Sequence, residues 1–594
     1  MPTTAHSPFW PRKGSSNVDQ QGIEWRTPRW GRRKPYWTIE PDVSKMENLA
    51  RNVFGLDSSQ KCKVSFMAGG SYNKLYNITT SQHERPDSVF RVIPPVDPIN
   101  KTETEVATLK FLETKTSIPA PKVIAYGIDC RDIGFEWILM TKLPGKPLAE
   151  VERWMSLEQK IKLVKQLAPH LVELFKLRFD MIGSLSIKDM TRLHCRPASP
   201  SRPSHGQVFE VKHVVSQAFF YDNHINLRFD RGPYRTSKKW LEERMRLFIY
   251  DQEQIINRLE SKQEVTPKGE SELVADEAQH GSEQMQCTRD DQNVTLTANP
   301  SPDGDGPEPE NPVSVSEKDR GADTEDNTSD TESVDSDEEE LAEARFVDNL
   351  ARIIFGEIIE EAFGQDSEQQ DETPTIYHQD LHEGNVLVDD DGNLTGLVDW
   401  ECISAVPLWE ACQLPLLLES REREQCPDRD DYPDYDPATW GGTGPDPEAE
   451  INGNKNVISW EHRSAHHCTL LRQVFLQEMG HICPEWVAIH KRSTLRRSLS
   501  LAVSAIASEL LAIHVDQWMR HVRKGDFEDD LNRRIWGDDW TLIDLTVSKL
   551  RKAEAMWVMY RLSQKISAGE IEWNPAMMPL LEGSSNVGRE VIDN

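Results

Sequence analysis

The 594-residue chain carries 99 Asp and Glu against 68 Lys and Arg, a net charge of −31, and is 37% hydrophobic and 28% charged. This suits a soluble globular protein of roughly two to four domains with a polar insertion. No basic patch with interleaved aromatics supports nucleic-acid binding, and no run of about 18 uncharged apolar residues marks a membrane span. The nearest such stretch, 499–515, carries Glu509 and several serines and is expected as a buried helix. The nine cysteines are scattered without a Cys-x-x-Cys pair, as in a reducing compartment. His466, His467, Cys468, His481 and Cys483 lie close in sequence, but their spacing matches no usual structural zinc site.

The first 40 residues hold seven Lys/Arg and three Asp/Glu. Trp10, Trp25, Trp30, Trp37 and several prolines argue for an arm packed on the folded body rather than a transit segment. A cytoplasmic location is therefore expected, with mitochondrial import as the alternative. Residues 63–80 read as strand, glycine turn, strand, and 88–95 as a short strand closed by prolines. Residues 102–116 read as a helix, with Val106, Leu109 and Leu112 at helical spacing. Strands follow at 122–128 and 135–143, and Pro144-Gly145-Lys146-Pro147-Leu148 breaks the pattern.

From there the chain reads as helical: 155–179, interrupted by Pro169, then 240–260, and again from about 457 to 567. Residues 262–340 contain 24 Asp/Glu and 5 Lys/Arg, a net of −19. So dense a charge with few apolar residues predicts a disordered insertion over 262–344, with a protein partner as its possible use.

The chemistry concentrates in HQDLHEGNVLVDDDGNLTGLVDWE, 378–401. Two β-rich runs flank Asp390-Asp391-Gly392, which predicts a hairpin pairing 389 with about 394 and 385 with about 398. That fold brings Asn385 and Asp399 to one end of the ribbon. An amide oxygen and a carboxylate are hard donors suited to Mg²⁺ bridging phosphates. Asp380, in the loop feeding the hairpin, is placed to orient an attacking hydroxyl and take its proton. His378 is expected to hold that loop.

This stretch resembles the catalytic segment of the aminoglycoside phosphotransferase-like kinases, the group that includes choline and fructosamine kinases, and is most similar to its fungal branch. Gln379 after His378, and Asp399-Trp400-Glu401 in place of Asp-Phe-Gly, favour a small-molecule kinase over a protein kinase. The resemblance implies Asp380 as base and Asn385 and Asp399 as Mg²⁺ ligands. It implies that Gly69 and Gly70 let the backbone of Ser71, Tyr72 and Asn73 approach ATP phosphates. Arg91 stands where the family usually has lysine, with Glu105, or else Glu103, as its helix partner. Met140 and the backbone of Thr141, Lys142 and Leu143 would face adenine. Arg231-Gly232-Pro233-Tyr234 and 405–418 also resemble the fungal branch.

The implied fold is α+β and two-lobed, protein-kinase-like, with a small antiparallel-sheet N-lobe and a mainly helical C-lobe. Its expected parts are an arm (1–45), the N-lobe (46–143), the first part of the C-lobe (144–261), the insertion (262–344), the rest of the C-lobe with the catalytic loop (345–570) and a tail (571–594). The implied activity is ATP- and Mg²⁺-dependent transfer to a hydroxyl of a small molecule, with an amine-bearing acceptor as one candidate. A nucleotide-binding pseudokinase is the alternative.

Overall fold

The computed structural model describes residues 12–13, 18–26, 33–81, 87–188, 208–265, 329–364, 372–428 and 457–536. The chain divides into two compact units, residues 1–254 with 343–594, and residues 255–342. The first unit opens with β1 (Arg12–Lys13), β2 (Ile23–Arg26), β3 (Lys34–Trp37) and α1 (Val43–Phe54). Asp42 caps α1 by accepting from the N–H groups of Ser44 and Lys45.

Five strands then form an antiparallel sheet in the order β4-β5-β6-β8-β7. They are β4 (Cys62–Gly69), β5 (Lys74–Thr80), β6 (Ser88–Ile93), β7 (Val123–Gly127) and β8 (Glu136–Thr141). Helix α2 (Asn100–Lys115) lies between β6 and β7 in sequence. Every residue of β6 is buried because both sheet faces are covered. Phe90 and Val92 join the core under α1, whereas Ile93 joins the core that contains Val106, Leu109 and Leu112 of α2. The period of two along a strand therefore turns Arg91 toward α2.

The chain leaves β8 through Pro144 and Gly145 into β9 (Lys146–Pro147), the short α3 (Leu148–Val151), and α4 (Leu157–Lys176). Ser156 and Gln159 form a capping box at the start of α4. Next come β10 (Gly183–Ile187), β11 (Phe209–Lys212), α5 (Gln217–Phe220), β12 (Leu227–Arg228) and α6 (Ser237–Val265). After the insertion come α7 (Ser329–Ile353), one wide turn at Ile354–Ile358, and α8 (Ile359–Phe363). Strands β13 (Pro374–Ile376), β14 (Val386–Val388), β15 (Leu394–Leu397) and β16 (Ser404–Pro407) precede α9 (Leu408–Ala411). The described chain ends with α10 (Val457–Ile482), α11 (Pro484–Arg492), α12 (Thr494–Ala505), α13 (Glu509–Val522) and α14 (Leu531–Trp536).

Helix α4 packs on α10, and one large apolar core joins these helices to Ile376, Val386, Leu397, Trp400 and Trp409. A five-stranded antiparallel sheet with one internal helix, followed by a mainly helical body, is the two-lobed protein-kinase-like fold expected from the sequence.

Three regions depart from that expectation. The first part of the large lobe is not wholly helical. Strands β11-β10-β16-β13 form an antiparallel sheet, and β10 packs on α2. Covered by β8 and β10, α2 buries even Lys101, Thr102, Glu103, Thr104, Glu105 and Thr108. The segment 499–515 is two helices, with α12 ending at Ala505 and α13 starting at Glu509. The insertion is shorter than expected, because α6 runs to Val265 and α7 begins at Ser329. In the second unit, Arg258 pairs with Glu340 and Lys262 with Asp337, both at 3.0 Å, so part of the acidic run is helical and ion-paired. Residues 266–328 lie outside the described residues, as does the C-terminal tail expected over 571–594.

The connector after β8 crosses the catalytic hairpin, with β9 pairing to β14 at Leu387↔Pro147 and Val388↔Lys146. Gly145 makes this crossing with φ +100, and a Cβ there would lie 2.6 Å from the Val388 carbonyl oxygen and 2.3 Å from Thr395 Oγ1. The substitution Gly145→Ala is expected to destabilise the chain by about 2 kcal/mol, through a disallowed φ and a backbone clash. Urea unfolding followed by tryptophan fluorescence checks this.

Candidate active site

The hairpin forms in the expected register. Val386 pairs with Leu397 and Leu387 with Gly396, with a bulge before Val388. The N–H of Asp389 bonds to Asn393 O and that of Val398 to Asn385 O, both at 3.0 Å. Asp389 Oδ1 also accepts from the N–H groups of Asp391 and Asn393, which closes the turn. Asn385 thus sits opposite Val398, one residue before Asp399. Asp399 holds φ +64, a left-handed conformation that aspartate tolerates better than branched residues.

The catalytic loop is tied to the same ribbon. Asn385 Nδ2 donates to the Asp380 carbonyl at 2.8 Å and to Asp380 Oδ2 at 3.3 Å. Holding Nδ2 this way leaves Oδ1 as the donor atom Asn385 offers to a cation. Asp380 itself is exposed. His378 is buried, and its Nε2–H donates to Val398 O at 2.9 Å. Burial lowers its pKa, so the ring is neutral, with Nε2 as the protonated nitrogen. It stacks edge-on against Trp400 at 4.6 Å between centroids. His378 therefore pins the loop that carries Asp380 to the segment leading into Asp399.

Arg91 meets three carboxylates from two parts of the chain. Its Nε lies 3.2 Å from Glu105 Oε1, an ionic contact without a well-aligned hydrogen bond. Its Nη2 donates to Asp399 Oδ1 at 2.7 Å and to Glu401 Oε2. The side chains of Arg91 and Glu105 are only 5% and 2% exposed, against 29% for Asp399. Glu103, the other possible partner, instead accepts from Ser186 Oγ at 2.7 Å and lies 3.5 Å from Lys212 Nζ. The expectation that Arg91 presents an open fork to phosphate is thus modified, because carboxylates engage both its Nε and Nη2. Burial disfavours the guanidinium charge, but Glu105, Asp399 and Glu401 raise its pKa further still. Burial also lifts Glu105 to about 7, against the pull of Arg91 and Lys101.

Lys101 is a member of this cluster that the sequence did not single out. Its Nζ donates to Glu401 Oε2 at 2.6 Å and to the Tyr72 carbonyl at 3.3 Å. Burial would raise the Glu401 pKa, but Lys101 and Arg91 bring it down to about 2. The one available signal was spacing, since Lys101 precedes Glu105 by four residues and shares its helix face.

The glycine turn closes β4 onto β5, with Gly70 N–H bonded to Asn73 O at 3.0 Å. Neither Gly69 nor Gly70 has a positive φ, so their contribution there is the missing side chain. Beyond them, Tyr72 folds down onto α5: its hydroxyl accepts from Gln217 Nε2 at 2.7 Å and its ring meets Phe220 edge-on. Trp25 of the arm, Val96, Val215 and Phe220 form a small core with Tyr72 and Cys402 at its edge. Trp25 thus packs on the body as expected, while Trp10 and Trp30 lie outside the described residues. On the connector, Met140 is buried, while the N–H groups of Thr141 and Lys142 bond to Lys122 O and Asp87 O. This leaves Leu143 N–H as the connector donor without such a bond among the described residues.

The donor set fits Mg²⁺. Asn385 Oδ1 and a partly exposed Asp399 are hard oxygens held on one ribbon, beside the exposed carboxylate of Asp380. Arg91 and Lys101 together offset the charges on Asp399 and Glu401, and Glu105, lifted to about 7, adds negative charge to the cluster above that pH.

Comparison with known proteins places these features in context. Residues 63–207 and 313–410 match the model of the phosphotransferase enzyme family. A subtelomeric hrmA-associated cluster protein of Aspergillus fumigatus is 30% identical over 180 residues, covering 29% of this chain and 33% of that protein. Altered inheritance of mitochondria protein 9, mitochondrial, of Debaryomyces hansenii is 28% identical over 156 residues, 24% of each chain. The match thus spans a third or less of the length of these curated relatives. Among solved structures, an ADP-bound aminoglycoside phosphotransferase aligns with 83% of this chain and 97% of its own, at 10% identity and a TM-score of 0.33. Another, in a ternary complex with ADP and hygromycin B, aligns with 82% of this chain and 96% of its own, at 11% identity and a TM-score of 0.32.

The Glu401 ion pairs make a pH-dependent contribution to stability. With a folded pKa of about 2 against an ordinary 4.5, that contribution is complete above the ordinary value and disappears as pH falls through the folded one. The deficit in melting temperature of Glu401→Gln relative to wild type is therefore expected to be smaller at about pH 3 than at about pH 7. Thermal unfolding of both proteins across that range measures it.

Proposed function

We propose, from the match of residues 63–207 and 313–410 to the model of the phosphotransferase enzyme family, that the chain moves the γ-phosphoryl group of ATP to a hydroxyl of a small molecule, with Mg²⁺. The observation that carries this reading is the joint placement of three groups. Asp380 grips the Asn385 amide, and the hairpin register sets Asn385 against the residue before Asp399.

In this reading Asp380, exposed and braced by Asn385, orients the acceptor hydroxyl and takes its proton as the new bond forms. Asn385 Oδ1 and Asp399 would hold the metal, which would supply neutralisation of phosphate charge. Backbone N–H groups of Ser71, Tyr72 and Asn73 lie over the phosphates, with no side chain on Gly69 and Gly70 to obstruct their approach. Arg91 fixes Asp399 from behind, and His378 fixes the loop from below. Leu143 N–H is the connector donor left for a purine edge. Most of the catalysis then comes from positioning and charge neutralisation.

The exchange Asp380→Ala removes the base and none of the proposed metal ligands. It is expected to lower phosphoryl transfer by about 100-fold or more, with Mg²⁺–ATP affinity within about 3-fold of wild type. Turnover with candidate hydroxyl compounds and labelled ATP, alongside calorimetric ATP binding, gives both numbers. Full turnover in the variant would overturn the mechanism.

One observation favours a pseudokinase instead: Arg91 already occupies Asp399 Oδ1 at 2.7 Å. Wild-type nucleotide binding without transfer to any acceptor, and without ATP hydrolysis, would support that reading. For compartment, the names of the Debaryomyces and Meyerozyma relatives include the word mitochondrial. We extend that location to this chain as a proposal that subcellular fractionation tests.

A further inference from the structure

We propose that Lys101 is a positioning residue that ties the glycine turn to the metal-binding loop through Glu401. The inference rests on the reading above only in taking this turn as the cover over nucleotide phosphates.

Three donors from three elements converge on one oxygen, Glu401 Oε2. They are Arg91 Nη2 from β6, Lys101 Nζ from α2 at 2.6 Å, and Asn73 Nδ2 from the turn at 3.3 Å. Lys101 then makes a second bond, to the carbonyl of Tyr72 within the turn, at 3.3 Å. The ammonium thus bridges the turn and the loop after Asp399, while Asn73 bridges the same two segments directly.

Neutralising Glu401 does not by itself explain Lys101, because it leaves the second bond, from the same ammonium to the Tyr72 carbonyl, unaccounted for. A second cation is costly where it stands. Its side chain is only 1% exposed, and an ammonium taken out of water loses solvation that good partners must replace. It also lies in the first turn of α2, where the helix dipole disfavours positive charge. The backbone leading into it is held in an unusual form. Ile99, a β-branched residue, has φ +71, and its N–H donates to Glu136 Oε1 at 2.6 Å. The N–H of Lys101 bonds to Asp97 O at 3.1 Å. These constraints aim the start of α2 at the turn, and the reach from Glu401 to Tyr72 O is what they achieve.

Hydrogen exchange on the full chain without nucleotide tests this. In Lys101→Met, amides of residues 69–73 are expected to exchange about ten-fold faster or more, as for a lost charge-assisted bond. Lys160→Met serves as control. Lys160 is also buried and paired, with Glu152 at 2.8 Å, and its loss is expected to leave the turn unchanged. In a Glu401→Gln background the effect of Lys101→Met is expected to shrink, because the tie runs through Glu401. Unchanged exchange at 69–73 in Lys101→Met, with only a lower melting temperature, would overturn the proposal and leave Lys101 a buried counter-ion. Should Lys101→Met not fold, Lys101→Gln decides. It removes the charge that bridges Glu401 and the Tyr72 carbonyl while keeping a polar side chain, so faster exchange at 69–73 supports the tie and unchanged exchange overturns it. Because no nucleotide is present, neither result depends on ATP binding. Failure of the kinase reading appears separately, as absent Mg²⁺-dependent ATP binding in wild type.

Discussion

A guanidinium buried among carboxylates from separate segments is the constraint around which the site is organised. Arg91 sits on β6, Glu105 on α2, and Asp399 and Glu401 on the loop after β15. None of these charges is stable when buried alone, since removing one partner of such a pair leaves the other unpaired at a cost of about 3–5 kcal/mol. The small lobe and the catalytic ribbon are therefore coupled through charge as well as through packing. The same arrangement sets the electrostatics at Asp399, whose Oδ1 is held from one side while the group stays partly exposed.

Around that cluster, the backbone supplies the alignment. The connector from the small lobe does not simply pass to the large one, because β9 adds a third strand to the catalytic hairpin. Gly145 makes that crossing possible, and the hairpin register then presents Asn385 beside Asp399. His378 and Trp400 lock the catalytic loop to the far side of the ribbon. Position is thus set by short-range backbone geometry, and charge balance by long-range pairing between lobes. Phosphoryl transfer needs both, since positioning and electrostatics supply most of its catalysis.

Much of this was legible in the sequence where local chemistry determines local form. The Asp-Asp-Gly turn between β-rich runs predicts the hairpin and its register. The β-rich run before Pro94 predicts the strand that carries Arg91, and the spacing of Val106, Leu109 and Leu112 predicts α2. What escaped depends on the far side of a contact. Lys101 and Glu103 look like an ordinary solvated helix face until β10 covers α2. Gly183-Ser184-Leu185-Ser186-Ile187 carries little β-signal because small residues suit a strand enclosed on both faces. The pinning of Tyr72 by Gln217 and Phe220 joins residues some 145 positions apart, which no local pattern reveals. The choice between Glu105 and Glu103 likewise needed the direction of α2 against β6, since both fit the helix. The break between α12 and α13 falls in an apolar run that reads as one continuous helix.

The central claim is that the ribbon holding Asn385 and Asp399 is a metal–nucleotide site. Calorimetric titration of the full chain with ATP, with and without Mg²⁺, in wild type and in Asp399→Ala, tests it most directly. The account predicts one saturable site per chain in wild type, strengthened by Mg²⁺, with that dependence lost in Asp399→Ala. Binding that ignores Mg²⁺, or that survives the substitution unchanged, would contradict it.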